Sequence, residues 1–169
     1  DFTAVNLERP LGGMLLYSPW AGFSTDYPSF NNEALDMMSP ICLRKWSAMF
    51  LDKAHPADPE ADPGPVSGDA WTEPCLNPAS WWSGSHQVVN GIFISYRSYE
   101  VLADSIKELE QELKRGWVEG GGDANQVTFV GAPKEAHIGP IQDIMTPGKS
   151  SHKSETQVAI EAWYKARLQ

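Results

Sequence analysis

Short apolar runs closed by turn residues, alternating with stretches of helical period, are the pattern that most restricts how this chain folds. Gly12 to Ser18 (GGMLLYS) reads as a strand buried on both faces, the kind found in parallel sheets with helices above and below. Val88 to Tyr96 (VVNGIFISY) and Gln126 to Val130 read as two further strands. Between them, Val101 to Lys114 places Leu102, Ile106, Leu109 and Leu113 on one face of an amphipathic helix. Ser154 to Leu168 reads as a last helix, with Ser154 and Gln157 spaced as a capping box. Strand, helix, strand, loop, helix at these lengths requires right-handed crossovers in a parallel sheet. The expected fold class is α/β, a parallel sheet with helices on both faces.

The intervening segments are less regular. Ala21 to Phe30 is rich in Gly, Ser, Pro and aromatics and reads as a loop. From Asn32 to Asp52 the apolar residues recur at helical spacing, but Pro40 falls inside the stretch and predicts a kink or two helices. An irregular proline-rich excursion occupies about residues 53–80. Its DPEADPG stretch reads as a solvated loop, because prolines disrupt the alternation that a calcium loop needs. Ala79 to Trp82 predicts one helical turn, and Gly120 to Gly122 a flexible turn.

The 169 residues fit one domain, and 41% apolar content supplies a real core. A formal charge of −9 argues against nucleic acid as a partner, since phosphate binding needs clustered Lys and Arg. The apolar runs are far shorter than a membrane span. The chain opens Asp1-Phe2-Thr3, without a basic start or an apolar run, which reads as a processed or cut chain. Cys42 and Cys75 lack a zinc or redox spacing. Either they form one disulfide across the excursion, as in a secreted or secretory-pathway protein, or both are buried thiols.

In open α/β sheets chemistry collects beyond the carboxyl ends of the strands. Glu100 follows the strand ending near Tyr96, and His137 follows the strand ending near Val130. An acid within reach of an imidazole fixes its tautomer and stabilises the imidazolium formed in acyl transfer. The plainer readings are a Glu favouring a helix N-terminus and a surface His. His55, His86 and His152 have no carboxylate on the same sheet edge, and Ser85 lacks the strand-turn-helix setting of a nucleophile.

Several stretches carry a family resemblance. Leu11 to Trp20 (LGGMLLYSPW) resembles the strand after the nucleophile helix in hormone-sensitive-lipase-like carboxylesterases of the steryl-acetyl-hydrolase and arylacetamide-deacetylase type. Asn77-Pro78 with Trp81-Trp82, and Tyr99 to Asp104 (YEVLAD), are similar to the segments that precede and contain the family's acid. Glu135-Ala136-His137 resembles the segment that carries the base. The resemblance covers nearly the whole chain but only the second half of the family pattern. It implies the carboxyl-terminal half of an α/β-hydrolase fold, with Glu100 as triad acid and His137 as general base.

No G-x-S-x-G elbow and no oxyanion-hole loop is present. The resemblance therefore implies a second polypeptide carrying the serine, an apolar short-acyl ester as substrate, and no metal or organic cofactor. Trp20, Phe23 and Tyr27 follow a strand end facing the site, and either line an apolar pocket or pack under a loop. A non-catalytic subunit that keeps the fold and binds a partner or apolar ligand is the alternative. Two departures stand out: the acid is Glu where Asp is commoner, and His137 is followed by Ile138-Gly139-Pro140.

Overall fold

The computed structural model describes residues 7–53, 57–58, 60–133 and 153–167. Three strands, β1 (Met14–Tyr17), β2 (Ile92–Arg97) and β3 (Val127–Ala132), form a parallel sheet in the order β1-β2-β3. Met14 pairs with Ile92, and Ile92 with Val127, so the carboxyl ends of all three strands lie along one edge. β2 is the middle strand and is buried along nearly its whole length. It starts later than the apolar run predicts, because Ser85 to Gln87 form a turn of tight helix and only Val89 touches the sheet, as a bridge to Leu11.

Helices α1 (Pro40–Phe50), α2 (Ala79–Trp82), α3 (Ala103–Glu119) and α4 (Glu155–Lys165) complete the regular structure. Pro40 divides the predicted helical stretch in two. A tight 3-10 segment covers Pro28–Leu35, and α1 begins at Pro40, with the Ser39 hydroxyl accepting from the Cys42 N–H at 3.2 Å. A proline costs nothing in the first turn, where its missing N–H has no helical partner. At α4 the Ser154 hydroxyl accepts from the Gln157 N–H, the cap that the sequence predicts.

The two sheet faces are covered by different helices. Ile92 and Ile94 of β2 join Ile106, Leu109, Leu113 and Trp117 of α3 in the main core. Phe93, on the opposite face, meets Trp163 of α4 with ring centres 5.6 Å apart. The expected α/β class, with a parallel sheet and helices on both sides, is therefore observed. Among the described residues β1 is hydrogen-bonded to β2 alone.

Helix α3 runs five residues beyond the predicted end at Lys114, through Gly116. Glycine weakens a helix interior, so its presence needs a tertiary reason. A Cβ at Gly116 would sit 1.9 Å from the Ala79 carbonyl oxygen, and one at Gly120 would sit 1.8 Å from that of Ser83. The bare backbone lets α2 lie directly on α3. Trp117 then buries its ring and donates its indole N–H to the Asp123 carbonyl at 2.9 Å, closing the turn into β3. Gly116→Ala should lower stability by about 1–3 kcal/mol, as overpacking does. A urea midpoint equal to the parent's would show that α2 slides to make room.

Candidate active site

The site is built on the turn that leaves the middle strand. Arg97 ends β2 and Glu100 lies three residues on, both fully buried. The Glu100 carboxylate accepts from the Arg97 N–H at 3.1 Å, and the Glu100 N–H returns to the Arg97 carbonyl at 3.4 Å. The Glu100 carbonyl in turn accepts from the Ala103 N–H at the start of α3. Glu100 is therefore tied to the strand behind it and the helix ahead of it.

The segment after β1 clamps the same turn from outside. Asp36 accepts from the Val101 N–H at 2.7 Å, the Ser29 hydroxyl donates to the Val101 carbonyl at 2.6 Å, and the Ser29 N–H donates to Asp104 at 2.8 Å. Burial pushes the Asp104 carboxyl up, but the Lys107 ammonium and the Ser29 N–H outweigh it and hold Asp104 below the usual carboxylate range. Asp104, the other acid of the YEVLAD stretch, is thus committed to structure.

At the end of β1, Ser18 adopts φ +43°, an uncommon conformation for a residue with a side chain, while its N–H donates to the Ser95 carbonyl at 2.7 Å. Tyr17 just before it receives the Arg97 guanidinium, which stacks 4.7 Å from the ring centre and donates to the phenol oxygen. Sequence reasoning missed this pair. The one available signal was a lone cation closing an apolar strand three residues before the acid.

The aromatic candidates separate. Phe23 is buried, its ring set edge-on to Trp20 at 5.2 Å and near Phe50, so it packs as core. Trp20 is half-buried beside it. Tyr27 donates its hydroxyl to Glu108 of α3, and burial first, then that carboxylate, pushes its ionisation far up. Tyr27 also lines a cleft of about 310 Å³ with Gly22, Val66 and Glu73. The buried Glu73 carboxylate accepts from the Phe23 N–H at 2.8 Å and the Gly68 N–H at 2.6 Å, tying the proline-rich excursion to the loop after β1.

Of the two alternatives open for Cys42 and Cys75, a disulfide or free thiols, the structure has free thiols, with Cys75 buried and Cys42 half-buried. The Cys75 N–H donates to the Ala21 carbonyl at 3.0 Å, which aims its sulfur at Gly22, 2.5 Å from where a Cβ would sit. Cys42 is held in the first turn of α1 by its own bond to Ser39. The cysteines therefore lend no support to a secretory compartment. Ser85 is buried and donates to the Trp82 carbonyl at 2.7 Å, as a structural loop serine does. His86 sets its ring against Trp117 at 6.1 Å. His137, His55 and His152 lie outside the described residues. In the excursion, Asp62 of the DPEADPG stretch is paired with Arg44, whose guanidinium brings its carboxyl down to about 2.

No family model matches the chain, and no curated protein matches it. Among solved structures it is similar to EstE5. A crystal of EstE5 soaked in ethyl alcohol aligns with TM-score 0.52 and 19% identity, over 80% of this chain and 38% of that one. The EstE5-PMSF crystal structure aligns with TM-score 0.52 and 18% identity, over 86% of this chain and 39% of that one. This chain spans less than two-fifths of the length of EstE5. The likeness is one of fold alone, a parallel sheet between helices.

Burial first pushes the Cys75 thiol up to about 11, so at pH 8 it is almost wholly protonated and screened from reagent. In unreduced protein we expect both cysteines to be alkylated once denatured, and Cys42 well before Cys75 when native. Protection of both after denaturation would restore the disulfide.

Proposed function

We propose that this chain supplies the acid and the base of a serine carboxylesterase, with Glu100 as the acid and His137 as the base. The observation that supports it most is Glu100 itself. It is a buried carboxylate fastened to the carboxyl end of the middle strand, on the edge from which β3 leads toward His137. The engagement of Asp104 by Ser29 and Lys107 favours Glu100 as the acid of that stretch. The likeness of fold to EstE5 supports a hydrolase reading.

The serine and the oxyanion hole come from a part of the enzyme outside these 169 residues. That part pairs with the outer edge of β1 and covers the apolar side chains that α1 leaves exposed, Ile41, Trp46, Met49 and Phe50. In the reaction the serine oxygen bonds to the ester carbonyl carbon as His137 takes its proton. The tetrahedral intermediate then expels the alcohol, which leaves with that proton, and water repeats the sequence on the acyl-enzyme. Glu100 holds the imidazole and stabilises its cationic form. The substrate is a short-acyl ester of an apolar alcohol.

The whole enzyme should react with a fluorophosphonate at a serine outside these 169 residues and leave these residues unmarked. His137→Ala should lower kcat by several powers of ten, and Glu100→Gln should be folded but slow. Label on a serine within these 169 residues, or ester hydrolysis by these residues alone, would overturn the reading.

A further inference from the structure

We propose that Arg97 is a positioning residue for Glu100, acting through the turn that joins them; the proposal rests on Glu100 being the acid. An arginine is rarely buried completely unless fixed partners take up its charge and its donors. Among the described residues, Arg97 has partners at the carboxyl ends of two neighbouring strands, Tyr96 of β2 and Tyr17 of β1. One Nη donates to the Tyr96 carbonyl at 3.3 Å, the other to the Tyr17 hydroxyl, and the guanidinium plane stacks on the Tyr17 ring. One side chain thereby binds the carboxyl ends of β1 and β2 into a single block.

The backbone N–H of that same residue donates to the Glu100 carboxylate at 3.1 Å. A tilt of the Arg97 peptide therefore moves the carboxylate with it. Glutamate has one more torsion than aspartate, so an acid of this length needs an extra restraint to present its oxygen in one place. The chain of restraint runs from guanidinium to strand ends, from strand ends to the Arg97 N–H, and from that N–H to Glu100. Lysine cannot reproduce it, because an ammonium neither stacks as a plane nor donates in two fixed directions.

The test uses the whole enzyme of which these residues are part, 4-nitrophenyl acetate as substrate, and fluorophosphonate titration to count active sites. Arg97→Met should lower kcat per titrated site by about ten- to a hundredfold with KM little changed, the cost of a misplaced catalytic group. Arg97→Lys should recover only part of that loss. Tyr17→Phe, which keeps the ring and removes the acceptor, should show the same split to a smaller degree. A merely structural role would lower the number of titratable sites and leave kcat per site unchanged, and that result in Arg97→Met overturns the proposal. Where Arg97→Met does not fold, an unchanged kcat per site in Tyr17→Phe does the same. Glu100→Gln run in parallel separates the two ideas. If it is as fast as the parent, both the acid and its positioning residue are lost; if it is slow while the Arg97 and Tyr17 variants are not, only the positioning falls.

Discussion

Parallel pairing of β2 with β1 on one side and β3 on the other satisfies the peptide groups of a strand that water does not reach. An unmade hydrogen bond in such a place costs about 1–3 kcal/mol, so the register is enforced at every step along the strand. That register brings Tyr17, Arg97 and Ala132 to one edge of the sheet. Alternation along β2 then sends Ile92 and Ile94 toward α3 and Phe93 toward α4, which places the two covering layers. The chemistry proposed for this chain depends on where the strand stops, and the pairing determines that.

The turn after β2 shows how one short motif divides its two acids. Glu100 and Asp104 are one helical turn apart in sequence and have different surroundings. Asp104 faces a lysine on its own helix and the peptide of Ser29, which engage it as an anchor for the segment after β1. Glu100 turns inward to the end of the strand, where its carboxylate accepts from the Arg97 peptide N–H. Asp36 and Ser29 support the turn by bonding to Val101, between the two acids. An anchor at Asp104 and a restrained, buried carboxylate at Glu100 are complementary parts of one arrangement.

Much of this was legible in the sequence because it is local. The apolar runs of β1 and β2, the helical period of α3, the proline that splits the segment before α1 and the cap of α4 all follow from neighbouring residues. What was not legible depends on residues far apart in the chain. The extension of α3 past Lys114 through Gly116 depends on the Ala79 carbonyl pressed against that glycine. The spacing of Cys42 and Cys75 is compatible with a bridge, but the bond from Cys75 to Ala21 directs that sulfur elsewhere. Phe23 and Tyr27 look alike as loop aromatics, yet one packs as core and the other bonds to Glu108 at the wall of a cleft. Arg97 reads as an ordinary charged residue at a strand end, and only its stacking on Tyr17, 80 positions earlier, gives it a role.

The buried carboxylate of Glu73 bears on how a chain like this can change over evolutionary time. By holding the peptides of Phe23 and Gly68 together, it knots the proline-rich excursion near its return to the domain. The entropy of closing a loop grows only slowly with its length. Insertions and deletions between α1 and that knot are cheap in stability as long as the knot is kept. The excursion is a place where related chains can diverge in length and surface character while the turn bearing Glu100 stays where it is.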